Sequence, residues 1–355
     1  MTFSKESFLA LESSWDFLKK TKLPIFIYGM GDGALKILSI FNQYKIPYSG
    51  FFASDEFVRG HCFEGHKVHK LSEIESEVDE FVIVLAFACG YDSLIQKIKE
   101  LSKNHILIAP DVPVIGNGLF TKEFLSDNFD KIEKVYNMLA DEKSKEVFTQ
   151  TIAYKITGRI DYLTSISTPP SEAYEHIIKP GNDEIFVDVG AYNGDTVAEF
   201  ITNVSNKYNK IYAIEPDARN FKKLIKSTEG IDNIEIYNCA GWSEDTSLIF
   251  SKNSGRQSMI AKQGVEIQAR SVDSILCSSK ATFIKYDVEG AEREALSGTD
   301  VTIKKYKPKL KIALYHRNED IFEIPLLIKE MNSEYKLFIR KLPYIPAWEI
   351  NLFCI

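Results

Sequence analysis

Along the chain, short runs of consecutive apolar residues alternate with stretches whose apolar positions recur every three or four residues. That alternation predicts buried parallel strands separated by amphipathic helices. Pro24-IFIYGMGDGALKIL begins as a strand, passes through a glycine turn and continues as a helix. A second strand ends at SGFFASD, and SDEFVRGHCFEGHKV has the turn residues of a loop and hairpin. FVIVLAF, a helix from about Tyr91 to Leu101 and the strand HILIAPD complete a small sheet ending near Val114. Ahead of it, Phe8, Leu11, Trp15 and Leu18 fall at helical spacing and predict one amphipathic helix packed on this domain.

From Asn117 to Lys179 the period is helical, with breaks at Gly158 and at Thr168-Pro169-Pro170, which predicts two or three helices. Phe124, Phe129, Tyr136, Phe148 and Tyr154 read as the buried faces of those helices, with a lid or dimer contact as the secondary reading. The strand–helix alternation then resumes at IFVDVGAYNGDT, a helix from Val197 to Ser205, the strand KIYAIEPD, the helix ARNFKKLIKS and a third strand, IEIYNCAGW. LIFSKNSGRQSMIAKQGVEIQARSVDSIL reads as a β-rich insertion turning at Ser254-Gly255. ATFIKYDVEGAEREALSG gives a fourth strand and a helix, KLKIALYH a fifth strand, RNEDIFEIPLLIKEM a helix, and LFIR and WEINLFCI close the chain. The order predicts an α/β protein in three parts: a small Rossmann-like α/β domain over 1–115, a helical connector over 116–180 and a doubly wound sheet over 181–355.

Composition narrows the partners. The formal charge of −7 offers no basic surface for phosphate backbones, so nucleic acid is not expected as a partner. Five cysteines, odd in number and without a C-x-x-C pair, suit a reducing compartment and predict a cytoplasmic protein. No run of about 20 apolar residues predicts a membrane span.

The candidate chemistry lies at strand ends. In IFVDVGAYNGDT, Gly190 and Gly194 can take positive φ, Ala191, Tyr192 and Asn193 form the turn between them, and the helix opening near Asp195 and Thr196 presents free N–H groups to a ligand. Asp188 at the strand end argues against a phosphate beside it and for a ligand with a cationic centre, which suits S-adenosylmethionine better than a dinucleotide. Glu215, 21 residues beyond Gly194 and followed by Pro216, can accept both hydroxyls of a ribose. Asn238, Cys239, Ala240 and Trp242 follow the third strand and are candidates for the adenine, with Trp242 as a core residue the alternative. Arg256, Gln257 and Ser258 are donors suited to sugar hydroxyls or to an exposed turn.

Lys285, Asp287 and Glu289 end the fourth strand, and three charges there point to a crevice because unpaired buried charge is expensive. His316 ends the fifth strand and is a candidate general base. His61, Cys62, His66 and His69 are close enough in sequence to suggest metal ligands but lack a regular ligand interval, so a polar loop is the preferred reading and no metal is assigned. Gly29-x-Gly31-x-x-Ala34 imitates a dinucleotide fingerprint and could equally serve only to pass the chain from strand to helix.

Taken together, VDVGAYNGDT, AIEPD, IKYDVEGAE with Leu296-Ser297-Gly298 behind it, and KPKLKIALYHRNEDIFEIPLLI resemble the FkbM-type S-adenosylmethionine-dependent methyltransferases from about Asp183 onward. SDEFVRGHCFEGHKV and VIVLAFACG resemble the small Rossmann-like domain that precedes this methyltransferase in some bacterial members. The resemblance implies a class I methyltransferase sheet, S-adenosylmethionine as cofactor, and O-methylation of a sugar, glycan component or polyketide-type natural product. It implies a cofactor held by Asp188, Gly190, Asn193, Gly194, Asp195, Thr196 and Glu215, with Asp287, Glu289 and His316 near the reacting groups. The chain departs from the family after LFIR, where Lys341 and Leu342 follow Arg340 in place of a frequent histidine.

The expected reaction is in-line methyl transfer with His316 or Asp287 as base and Glu289 and Lys285 orienting substrate or each other. A divalent ion on Asp287 and Glu289 is compatible with the motif but not required by it. The expected partner is a small-molecule or glycan acceptor, and a homo-oligomer stays open. The rival readings are an NAD-dependent sugar dehydrogenase or epimerase, for which no Tyr-x-x-x-Lys pair is present, and a non-catalytic sugar-nucleotide-binding protein.

Overall fold

The computed structural model describes residues 1–116, 118–250 and 264–355. Asn117 and residues 251–263, among them the Ser254-Gly255 turn and Arg256, Gln257 and Ser258, lie outside the described residues. The chain forms two compact units, one of Met1–Asp130, Lys145–Thr168 and Lys341–Glu349, the other of Lys131–Ser144, Pro169–Arg340 and Ile350–Ile355. Helices Lys122–Asp127, Phe129–Met138, Glu142–Thr157, Asp161–Thr164 and Pro170–Ala173 occupy the stretch expected to hold two or three, and they are shared out between the two units.

The first unit is built on six strands: β1 Ile25–Tyr28, β2 Gly50–Ala53, β3 Cys62–Phe63, β4 His66–Lys70, β5 Val82–Leu85 and β6 Ile106–Ile108. They lie in the order β3-β4-β2-β1-β5-β6, parallel except for the hairpin of β3 and β4. β1 and β5 are buried on both faces, which is why they appear in sequence as unbroken apolar runs. One predicted element differs. The apolar spacing from Phe8 to Leu18 predicts a single helix, whereas the structure has two, Lys5–Leu9 and Ser14–Lys20. The Ser13 hydroxyl accepts the Asp16 N–H at 3.4 Å and starts the second helix afresh, a local bond that competes with continuing the first.

The second unit holds a seven-stranded sheet of β7 Ile185–Val189, β8 Lys210–Ile214, β9 Ile234–Tyr237, β13 Phe283–Tyr286, β14 Lys309–Ala313, β15 Leu337–Lys341 and β16 Ile350–Cys354. Between β9 and β13 the chain adds β10 Ala240–Gly241, β11 Thr246–Phe250 and β12 Val265–Arg270, which form a separate three-stranded sheet. The large sheet runs β15-β16-β14-β13-β7-β8-β9, with β16 antiparallel to β14. IEIYNCAGW is therefore not one strand: it pairs with β8 only as far as Tyr237, and Ala240-Gly241 then pair with β12. An apolar run reports burial but not which sheet does the burying. Under β7, Phe186 stacks on Phe200 at 4.4 Å and on Phe283 at 5.0 Å between ring centroids. Each such buried ring contributes roughly 2 kcal/mol of burial free energy. The strand order reverses direction between β7 and β13, the switch point at which open α/β sheets form a ligand crevice beyond their carboxyl ends.

Candidate functional site

β7 delivers the glycine loop to that crevice. The N–H groups of Gly190 and Ala191 both donate to the Ile214 carbonyl, at 3.0 and 2.9 Å, tying the loop to the end of β8. Gly190 has φ +91°, and a Cβ there would stand 2.0 Å from the Asp287 carbonyl oxygen, so only glycine fits between the two strand ends. Tyr192 takes φ +49° and donates its N–H to Glu215 Oε2 at 2.9 Å. The Asn193 side-chain carbonyl accepts the Asp195 N–H at 3.2 Å, and Gly194, at φ +90°, stands at the cap of the helix Asp195–Asn203.

Asp188 is wholly buried at the end of β7. Its Oδ2 accepts the Thr196 hydroxyl, and its Oδ1 lies 3.1 Å from the Lys285 ammonium on the neighbouring strand. Lys285 also donates to the Gly190 carbonyl at 2.8 Å. Burial works against a charged lysine here, but Asp188 and Asp287 outweigh it and hold the ammonium above its ordinary range. The pair is thus a buried, mutually neutralised anchor that fixes β7, β13, the loop and the helix start to one another. The lone negative charge expected beside a cationic ligand is already answered by Lys285.

Glu215, at the end of β8, is nearly buried. Its Oε2 takes the Tyr192 N–H, and its Oε1 takes the Asp217 N–H at 2.8 Å. Burial pushes its carboxyl up to about 7, against those two donors. Asn238 donates its side-chain amide to the carbonyls of Glu215, at 2.8 Å, and Pro216, at 3.2 Å, and so holds the turn carrying the carboxylate. Cys239 and Ala240 are buried, and burial pushes the Cys239 thiol up to about 11. Trp242 is half-buried, and its N–H donates to the Arg270 carbonyl at 2.9 Å.

At the carboxyl ends of β13 and β14 a second group assembles. Asp287 is half-buried, with Oδ1 accepting the Tyr315 hydroxyl at 2.9 Å and Oδ2 lying 4.0 Å from Lys285. His316 is buried, with Nε2 at 3.5 Å from both Asp287 Oδ1 and Glu289 Oε2 and Nδ1 at 2.9 Å from Glu292 Oε1. Burial opposes the imidazolium, yet Glu292, Asp287 and Glu289 raise its pKa to about 10. Lys285 and His316 in turn outweigh burial at Asp287 and hold its carboxyl below the usual range. Glu289 enters the turn at φ +52°, and the Arg317 guanidinium donates to the Gly290 carbonyl at 3.0 Å.

Glu292 and Tyr315 were not singled out from the sequence. Glu292 accepts the N–H groups of Val288, at 2.9 Å, and Gly290, at 3.4 Å, from the first turn of its helix. That arrangement was signalled only by an acidic residue placed after a glycine turn. Arg340 and Lys341 stand apart from these groups. The Arg340 guanidinium pairs with Asp141 at 2.7 Å and Glu172 at 2.9 Å. The Lys341 ammonium is spent on the carbonyls of Leu342, at 3.0 Å, and Tyr344, at 2.6 Å. In the first unit the candidate ligands of SDEFVRGHCFEGHKV face different partners: His61 meets Met30 at 3.1 Å, His66 meets Tyr48 at 3.2 Å and His69 meets Glu73 at 3.5 Å.

A seven-stranded sheet with its last strand inserted antiparallel, and a glycine loop and acidic strand ends at the switch point, define a class I methyltransferase fold. Residues 188–336 match the family model described as the methyltransferase FkbM domain, so this stretch of the chain carries a methyltransferase domain of that type. The structure is similar to that of the methyltransferase FkbM from Methylobacillus flagellatus KT, at 21% identity and TM-score 0.73, over 99% of this chain and 98% of that one. Fainter likenesses include an rRNA methylase from Streptococcus thermophilus (13% identity, TM-score 0.36, 53% of this chain and 96% of that one). Another is Aeropyrum pernix fibrillarin with natively bound S-adenosyl-L-methionine (10% identity, TM-score 0.33, 52% of this chain and 71% of that one). No curated protein matches the chain in sequence.

Proposed function

We propose that the second unit transfers the methyl group of S-adenosylmethionine to a hydroxyl of a sugar, glycan component or related small molecule. The observation that supports this most is the placement of the glycine loop, Glu215, Asp287 and Glu289 at the carboxyl ends of three adjacent strands of one sheet, β8, β7 and β13.

The residues fit the donor. Each oxygen of Glu215 accepts one backbone N–H and keeps a second lone pair for a ribose hydroxyl. The start of the helix Asp195–Asn203 suits the methionine carboxylate, and Asn238, Cys239, Ala240 and Trp242 remain the candidates for the adenine. When bound, S-adenosylmethionine supplies an electrophilic methyl on a sulfonium. The chain's own contribution is placement. Asp188 and Lys285 lock the loop, and the Tyr315 hydroxyl fixes one oxygen of Asp287 so that the other can take the acceptor's hydroxyl proton. Asp287 suits that task better than His316 because it is half-exposed, whereas His316 lies behind it, buried among carboxylates. Glu289, also half-exposed, accepts a second hydroxyl of the acceptor.

Calorimetry with S-adenosylmethionine, its demethylated product and NAD tests the donor. Binding of the first two, lost in Glu215→Ala, is expected; preference for NAD would overturn the reading. Methyl transfer from labelled donor to a panel of nucleotide sugars and glycans tests the acceptor.

A further inference from the structure

We propose that Asp287, Glu292 and His316 form a binding site for a divalent metal ion. One ligand atom from each residue can be chosen so that all lie within 4.8 Å of one another. A divalent ion with bonds of about 2.0–2.2 Å places neighbouring ligands roughly 3.0–3.5 Å apart. His316 Nε2 already stands at such a separation from Asp287 Oδ1, 3.5 Å, while Glu292 Oε1 lies 2.9 Å from the other ring nitrogen, Nδ1.

An independent observation concerns unmet polar atoms. His316 and Glu292 are each 1% exposed, and neither ring nitrogen of His316 nor Oε2 of Glu292 has a hydrogen-bond partner. Nδ1 meets Glu292 Oε1 at 2.9 Å as an ion pair. Leaving a buried polar atom unsatisfied costs about 1–3 kcal/mol, and a cation that takes the lone pair of one ring nitrogen and of Glu292 Oε2 reduces that cost. Charge points the same way. Three carboxylates, from Asp287, Glu289 and Glu292, surround one imidazole, and a divalent cation at their centre offsets an excess of negative charge that no hydrogen bond can. The donor set of one imidazole and two carboxylates suits Mn²⁺, Mg²⁺ or Zn²⁺.

The site itself does not depend on the methyl-transfer reading. Only its use rests on that reading: an ion beside Asp287 would bind the acceptor oxygen and make its hydroxyl more acidic.

The test is titration of the chelator-treated full chain with Mn²⁺, followed by electron paramagnetic resonance and calorimetry. One Mn²⁺ per chain is expected, bound about tenfold or more weakly by Asp287→Asn and His316→Gln and normally by Glu266→Gln on β12. Asp287→Asn keeps the side chain's shape and remains informative if His316→Gln fails to fold. Absence of Mn²⁺ binding up to millimolar concentration, or undiminished binding by Asp287→Asn, would overturn the site. A parallel titration with S-adenosylmethionine separates the two readings. Donor binding without Mn²⁺ binding removes the metal site alone, and Mn²⁺ binding without donor binding supports the site while removing the methyl-transfer reading.

Discussion

Asp188 shows how a residue's neighbours change its meaning. In sequence it is an acid at a strand end, and a cationic ligand is its natural complement. In the fold Lys285 stands one strand away at the same register position and takes that role. Asp188→Ala strands a buried ammonium, so a loss of about 3–5 kcal/mol is expected by urea unfolding. The donor's affinity should fall with it because the loop loses its anchor. Gly190→Ala places a methyl against the Asp287 carbonyl at a strained φ and should abolish donor binding in calorimetry. Glu215 sets a pH dependence. Burial raises its pKa from 4.5 to about 7, so the folded state binds more protons than the unfolded one between those values. Its contribution to stability therefore declines as pH rises through that window and is level above it. Ribose hydroxyls donate to the carboxylate, so the donor's affinity should rise with pH up to about 7 and then flatten. Glu215→Gln should remove that slope in calorimetric titrations from pH 5.5 to 8.

Elements were legible where a local signal and the apolar period agreed. ARNFKKLIKS is helical over the expected residues, Ala218–Ser227, because Asp217 caps it through the N–H groups of Arg219 and Asn220. Asp217→Ala should cost about 1 kcal/mol, read as a lowered melting temperature. Where the two signals disagreed, the local one prevailed: Ser13 divides the N-terminal helix although the apolar spacing runs on. IEIYNCAGW misled for another reason, since its apolar run continues while the strand changes partner from β8 to β12. LFIR lies in strand β15, and its sequence did not reveal that Arg340 would pair with Asp141 and Glu172, nearly 200 and 170 residues earlier.

For the molecule as a whole, the FkbM match at 188–336 lies inside the second unit, and the first unit carries its own sheet. Among the described residues no helix is long and apolar enough to cross a membrane. The charge of −7 also bears on the acceptor. A chain of this charge lacks the counterion-release drive for RNA, so no retarded band with rRNA fragments is expected at roughly 150 mM salt. A salt-sensitive complex would put nucleic acid back among the acceptors.

Sequence alone determined the α/β class, the order of the strands, the glycine loop and the acid at the end of β8. Each of these is written in local period and turn chemistry, which act over a few residues. Tertiary structure decided what sequence order cannot hold. It joined Lys341–Glu349 to a unit made mostly of the first 130 residues, paired Asp188 with Lys285, and gathered Asp287, Glu292 and His316 around one point. Those outcomes depend on strand register and on the cost of burying charge without a partner, and both arise only when distant segments are packed together.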